Sequence, residues 1–367
     1  MTKTVKEQYS ASAETPLVSV VCITYNHNKY IGDAIEGFLM QRTTFPVEII
    51  VHDDCSTDGT ADIVREYFRQ SPRLIVPVLQ EVNQRSQGKK ILPMAIEKAR
   101  GQYLALCEGD DYWIDPMKLQ KQVSFLNEHS EYGMVCTDYD FFIESKGRKL
   151  GSYSAMVFGR ISQMDLTYEG YLNEELRDTH AIATATVLYR KSLYESFIRE
   201  IGNDAKHWPM GDAPIFLYAM QASRVRYLPD VTTVYRRLPS SASNIVDPDK
   251  RNAFAQIRFE MFRYFMDRYG CEPATRTLLE RCIAQQQLSY AYDTSNRELM
   301  KATADALRRR HGLTRNDKLK YIASLNRVFG AVLRPVFDVK ESLNELAHIA
   351  RERLYHVASS RIESKTN

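Results

Sequence analysis

The sequence predicts an α/β fold with a mainly parallel sheet flanked by helices. Three observations predict it. Short β-branched runs alternate with segments of helical apolar spacing through the first half of the chain, which is the pattern of βαβ units. The runs are apolar on both faces, as strands covered by helices on either side must be. Several end in polar clusters, and in such sheets ligands bind beyond the carboxyl ends of the strands.

The elements follow in order. Val18 to Thr24 reads as the first strand, and Ile31, Ala34, Ile35, Phe38 and Leu39 recur at helical spacing after it. Val47 to Val51 is the second strand, ending in the polar stretch His52 to Thr60. Ser56 or Thr57 is expected to cap the next helix, which carries Ile63, Val64, Tyr67 and Phe68. A third strand fits Leu74 to Leu79, and a loop over Asn83–Gly88 leads to a helix that Gly101 terminates. Tyr103 to Cys107 is the fourth strand, and Asp115-Pro116 opens an amphipathic helix. Further on, Gly133–Phe142 and Ile182–Tyr189 read as strands and Lys191–Glu200 as a helix. Asp212 sits where it can cap a helix running to Ala222. Val225–Leu228 and Thr232–Arg236 read as short strands, and residues 143–180 carry no clear pattern. From Asp249 the pattern is helical, with breaks near Gly270–Pro273, Gly312 and Pro335. The expected organisation is a polar N-terminal segment, 1–15, then an α/β domain, 16–240, divided at residue 115 into two halves. A helical region, 241–367, follows.

Composition narrows the class. The chain has 367 residues and a net charge of +3. No apolar run is long enough to span a bilayer, and the first fifteen residues lack a signal core. A cytoplasmic protein is expected, with no nucleic-acid partner. The six cysteines show no metal-ligand spacing, and Cys22, Cys107 and Cys136 lie in apolar runs as buried hydrophobes. Charge is uneven: residues 301–367 hold 14 Lys/Arg against 7 Asp/Glu. Within 315–357, Ile322, Leu325, Phe329, Leu333 and Phe337 mix with Lys318, Lys320, Arg327 and Arg334. Such a basic amphipathic stretch either contacts a membrane surface from the inner face or packs on the catalytic domain or a second copy of the chain.

The stretch that carries chemistry is Glu108-Gly109-Asp110-Asp111 at the end of the fourth strand. Adjacent carboxylates raise each other's pKa unless a positive charge sits beside them. One reading is a solvated turn with Asp115 as helix cap; the other is a divalent metal that carries phosphates. Neither a Gly-x-Gly-x-x-Gly pattern nor a Walker loop follows any strand. This is a nucleotide-type sheet edge without a glycine cradle, which favours the metal.

Three blocks in order, Val18–Asn26, Ile49–Thr60 and Ala99–Asp111, resemble the family 2 glycosyltransferases of the GT-A fold, especially bacterial builders of capsular, O-antigen or exopolysaccharide chains. The resemblance covers roughly residues 16–240 and implies site residues. Thr24 and Tyr25 are implied as nucleoside contacts with Asn26 beside them, Asp54 as the acceptor from the base imide, and Asp53 as support of its turn. Asp110 is implied near the ribose or metal-bound water and Asp111 as ligand of Mn²⁺ or Mg²⁺, with Glu108 behind them. Cys55 stands where many members carry glycine.

Gly211-Asp212 resembles the segment of the catalytic base, which implies an inverting transfer by a hexosyltransferase-type enzyme; Asp178 and Asp204 are its competitors. Trp208 and His207 either shape the acceptor side or serve packing. His180 either contacts diphosphate or is a loop histidine. Arg236-Arg237 either binds a phosphate or forms a solvated face. The implied donor is a nucleotide sugar, first a UDP-sugar, and the implied acceptor a glycan or an undecaprenyl-linked chain. The competing functions are a sugar-nucleotide nucleotidyltransferase and a non-catalytic sugar-nucleotide-binding protein. Thr24-Tyr25-Asn26 stands where the nucleotidyltransferase would carry a glycine- and basic-rich loop.

Overall fold

The computed structural model describes residues 3–8, 15–152, 165–177, 182–208, 210–238 and 245–325. Its contacts divide it into two units, 1–171 with 180–239, and 172–179 with 240–367.

In the first unit, two short strands, β1 (Lys3–Thr4) and β3 (Arg42–Thr43), pair with each other. The main sheet starts with β2 (Val18–Thr24), β4 (Val47–Asp53), β5 (Ile75–Leu79) and β6 (Tyr103–Glu108). These four are parallel, in the order β6-β2-β4-β5. Val18, Val20, Cys22, Ile49, Ile50 and Val51 are fully buried, as two-faced apolar runs require. The other half is mixed rather than mainly parallel. It comprises β7 (Tyr112–Trp113), β8 (Tyr132–Ile143), β9 (Arg148–Ser152), β10 (Asp165–Leu166), β11 (Leu188–Arg190) and β12 (Arg224–Arg237). Strand β11 lies antiparallel between β6 and β8, while β12 runs parallel to β8 and antiparallel to β7.

Two strand expectations change. Ile182–Tyr189 yields only the three-residue β11, because Thr184–Thr186 is a 3₁₀ turn. The Thr186 hydroxyl donates back to the Ala183 carbonyl at 2.6 Å and closes that turn. Val225–Leu228 and Thr232–Arg236 are one strand, β12, irregular around Pro229, which has no N–H for the ladder.

Helices α1 (Val5–Gln8), α2 (Ile31–Leu39), α3 (Thr60–Gln70), α4 (Ile91–Ile96) and α5 (Lys118–Glu128) connect or flank these strands. Neither Ser56 nor Thr57 caps α3. Its start is held by Asp58, whose carboxylate accepts from the Thr60 N–H at 3.0 Å and also from the Asn28 N–H at 2.9 Å. The helix expected to reach Arg100 ends at Ile96. Helix α6 (Tyr168–Leu176) crosses from the first unit's residues into the second's. Helices α7 (Lys191–Glu200) and α8 (Ala213–Ala222) complete the first unit.

On α5, Lys118 is fully buried. Its ammonium donates to Gln122 Oε1 at 2.8 Å and lies 4.4 Å from the Trp113 ring centroid. Burial pulls its pKa down to about 7.

The second unit contains α9 (Pro248–Tyr269), α10 (Pro273–Asp293), α11 (Arg297–Arg310) and α12 (Arg315–Leu325). Leu288, Ala291, Met300, Ala304 and Leu307 form an apolar cluster within it. The breaks fall at Gly270 and Gly312, both with positive φ. Residues 326–367, which hold most of the basic amphipathic stretch and the Pro335 break, lie outside the described residues. No described helix is long and apolar enough to cross a membrane.

Candidate active site

Strand register brings the polar stretches to one edge. Thr24 on β2 is level with Asp53 on β4, and Ile23 with Glu108 on β6. The Asp54 N–H donates to the Thr24 carbonyl at 3.0 Å, and the Gly109 N–H to the Ile23 carbonyl at 2.9 Å. Three successive strand exits are thereby tied together.

At the first exit Tyr25 projects into solvent, 46% exposed, while Thr24 is buried. Asn26 takes a left-handed φ of 56°, which asparagine tolerates better than most residues. Its carboxamide oxygen accepts from the Thr57 N–H at 2.9 Å, and its own N–H donates to Ser56 Oγ at 2.8 Å. Asn26 thus staples the first exit to the second. There Asp53 accepts the Ser56 N–H at 3.0 Å and the Ser56 hydroxyl at 2.5 Å, so its carboxylate braces the turn. Cys55 has φ 64°, a conformation that costs an L-residue about 1–2 kcal/mol and that glycine adopts freely. Asp54 is buried, and its two oxygens accept the backbone N–H groups of Gln84 and Arg85 at 2.7 and 3.1 Å. It therefore anchors the loop after β5.

The third exit holds the acidic cluster. Gly109 packs so closely on β2 that a Cβ there would lie 2.6 Å from Thr24 Oγ1 and 3.1 Å from His27 Nδ1. Any side chain at 109 would collide with the strand beside it. Asp110 is partly exposed, with a carboxylate oxygen 3.9 Å from His27 Nε2. Asp111 is buried, and its Oδ1 accepts the Arg236 backbone N–H at 2.8 Å. Burial first, then Asp110 and Glu108, raise the Asp111 pKa well above the usual carboxylate range, against the pull of Arg236. Burial, then Asp110 and Asp212, push Glu108 up to about 8.

Arg236 is neither a solvated face nor free to bind phosphate. It is buried, and its guanidinium donates to the Asp110 carbonyl at 2.9 Å and to Asp33. It stacks on Tyr112 at 4.3 Å and Tyr30 at 5.1 Å. Asp212 faces the cluster from the start of α8. Its Oδ1 accepts the Ala213 N–H at 2.8 Å as helix cap, and its Oδ2 accepts the Thr184 hydroxyl at 2.9 Å. The turn that presents Thr184 is itself pinned. Trp113 Nε1 donates to the Ala185 carbonyl and Gln122 Nε2 to the Thr186 carbonyl, each at 2.8 Å.

Around these groups the expectations sort out. Trp208 is buried, with its carbonyl accepting from Lys90, and serves packing rather than offering a ring face. His207 is exposed. Asp204, a competitor for the base, lies in a 3₁₀ turn, Asp204–His207. His180 and Asp178 lie outside the described residues. Sequence reasoning did not find Thr184, His27 or Lys90, because none carries a local signal; only the fold brings them here.

The residues fit a hard divalent cation. Three buried polar atoms, Thr24 Oγ1, His27 Nδ1 and Glu108 Oε2, have no hydrogen-bond partner, and Glu108 senses both Asp110 and Asp212. Uncompensated carboxylate oxygens crowded beneath solvent are the donor set that Mg²⁺ or Mn²⁺ prefers. Among the described residues no three His, Cys, Asp or Glu side chains converge as a complete metal cage. Mg²⁺ commonly takes one or two protein carboxylates and completes its shell with substrate phosphates and water.

Residues 19–197 match the model of the family described as Glycosyl transferase family 2. This stretch is a family 2 glycosyltransferase domain. Two relatives and one solved structure are similar to the chain. An uncharacterized protein of Mycobacterium tuberculosis is 37% identical over 226 residues, 60% of this chain and 58% of that one. A Bacillus subtilis glycosyltransferase provisionally assigned to teichuronic acid biosynthesis is 39% identical over 115 residues, 31% of this chain and 44% of that one. The chain thus spans less than two thirds of the length of either relative. Among solved structures, S. aureus TarS in complex with UDP-GlcNAc superposes with a TM-score of 0.51 at 22% identity, over 84% of this chain and 79% of that one. At that identity the family 2 domain shares the GT-A fold with TarS.

Proposed function

We propose that the protein is an inverting, metal-dependent glycosyltransferase that moves a sugar from a nucleotide-diphosphate sugar to an acceptor hydroxyl in surface polysaccharide synthesis. The observation that carries this reading is the meeting of two separately presented acidic groups. Asp110-Asp111 comes from the β6 exit and Asp212 from the start of α8, close enough that Asp212 and Asp110 both raise the Glu108 pKa.

In this reading Thr24, Tyr25, Asn26, Asp53 and Asp54 form the nucleoside side. Tyr25 supplies an exposed ring for the base, and Asp54 and Asn26 hold the backbone that frames it. Asp111, with Asp110 beside it, would hold Mn²⁺ or Mg²⁺, which would supply positive charge to a diphosphate leaving group. Asp212 takes the proton from the attacking hydroxyl on the face opposite the leaving nucleotide. The Thr184 hydrogen bond and the α8 cap fix its orientation. His207 is the exposed group on the acceptor side. A UDP-sugar is the first donor to test, since TarS, which shares the fold, holds UDP-GlcNAc. The acceptor is a glycan or a polyprenyl-linked chain, in keeping with the teichuronic acid assignment of one relative.

The test is release of nucleoside diphosphate from a donor panel with Mn²⁺, compared in the wild type, Asp111→Asn and Asp212→Asn. Both variants should lose about 10²-fold or more in kcat, and only Asp111→Asn should weaken metal-dependent nucleotide binding. Full transfer by Asp212→Asn would remove it as the base. Turnover that needs pyrophosphate would point instead to nucleotide-sugar synthesis.

The protein is further proposed to work in the cytoplasm, with residues 315–357 touching the inner leaflet. Flotation with anionic vesicles, with and without residues 315–367, checks this: equal flotation of both forms sinks it.

A further inference from the structure

The helical unit contains a cavity of about 590 Å³ that has no part in the chemistry above. Its wall comes from three elements of that unit: the end of α6 with Arg177, the first turns of α10 from Glu272 to Arg281, and the end of α11 with Arg310 and His311. Three guanidiniums and an imidazole therefore meet around one space, with Glu272 as the only acid in its lining among the described residues.

Among the described residues these guanidiniums are less fully paired than four other arginines of the unit. Arg251, Arg258, Arg276 and Arg308 of the same unit each reach a carboxylate, at Asp293, Glu175, Asp267 and Asp305. Arg281 and Arg310 form no ion pair among the described residues, and Arg177 pairs with Glu174 at 3.9 Å. Arg177 and Arg310 are exposed and Arg281 is half-buried, so water solvates these charges and an anion entering among them meets guanidinium groups open to it. The positive end of the 21-residue α10 faces the same space. Neutral hydrogen-bonding groups are present as well, since Asn173 Nδ2 and Thr275 Oγ1 pair at 3.0 Å on the cavity wall.

We propose that this cavity is a second binding site, which takes a phosphate monoester or diphosphate. Three arginines exceed what a single carboxylate neutralises. Planar guanidinium forks match phosphate oxygens two at a time, and the volume accommodates a diphosphate with part of the group it esterifies. The phosphate belongs either to a soluble compound or to a lipid headgroup, and the two sources share this chemistry.

The experiment titrates the full-length protein with inorganic pyrophosphate in EDTA by calorimetry, and with phosphatidylglycerol vesicles by flotation, using phosphatidylcholine vesicles as control. Saturable pyrophosphate binding is expected. It should weaken about 10-fold or more in Arg281→Gln/Arg310→Gln, which loses two charge-assisted hydrogen bonds. It should tighten a few-fold in Glu272→Gln, which removes the opposing charge and so reports on the site without depending on the fold of the double variant. Flotation that pyrophosphate competes away, and that the double variant loses, assigns the phosphate to lipid; pyrophosphate binding without flotation assigns it to a soluble compound. No saturable binding of either probe, or affinity that neither variant moves, overturns the proposal.

Discussion

At the scale of the residue, the site depends on hydrogen bonds that fix carboxylates rather than on the carboxylates alone. Thr184 shows this. Its hydroxyl holds Asp212 Oδ2 at 2.9 Å while the α8 N–H holds Oδ1, so the carboxylate proposed as base has one orientation. Thr184→Val keeps the shape and loses the donor. It should lower kcat about 10-fold or more with little change in the donor KM, and Thr184→Ser should restore most of the loss. A matching fall in Tm with an unchanged kcat would reduce Thr184 to packing. The sequence showed Asp110, Asp111 and Asp212, because acidic residues after a strand or before a helix stand out. It did not show Thr184. Residues 182–189 are rich in threonine and valine, lack Gly or Pro, and read as strand, so the turn that aims the hydroxyl was invisible. Asp54 stood out as a candidate from its place after a strand, but its use on the Gln84 and Arg85 amides was not legible, since loop paths leave no periodic trace.

At the scale of the element, α5 was read correctly as an amphipathic helix, yet its first residue breaks the rule that lysine faces water. Lys118 is enclosed at the joint of α5 and β7, and its pKa falls to about 7. Between about pH 7 and the ordinary lysine value of 10.5 the folded chain holds a neutral amine and the unfolded chain an ammonium. Unfolding then takes up a proton, so this group makes stability rise with pH across that window. Below it both states are charged and the full burial cost remains. Lys118→Met removes the charge and the dependence together. Its Tm should exceed the wild type's at pH 7, by a few degrees after the loss of the Gln122 hydrogen bond. The advantage should shrink toward pH 10. A difference that stays constant with pH, followed by circular dichroism, would show that Lys118 is not buried as an amine. The parallel strands and most helices were legible because two-faced apolar runs and helical spacing are local. The antiparallel insertion of β11 was not, because three residues carry no periodicity.

At the scale of the whole molecule, the family 2 domain and the helical unit differ in how far sequence could reach. The domain's three strand exits carry recognisable residues, whereas the helical unit offers only spacing, and its arginine-lined cavity appears only when three helices meet. A last consequence concerns the order of assembly. The Asp110-Asp111 turn is fastened by Arg236, which comes from the final strand of the first unit and joins β7 across a long interval of chain. Contacts of such sequence separation form late, since loop closure must precede them. A nascent chain that has already built the parallel strands β2, β4, β5 and β6 still holds a loose acidic turn. The acidic turn that the proposed function assigns to the donor is therefore fixed in place only once β12 has joined the sheet.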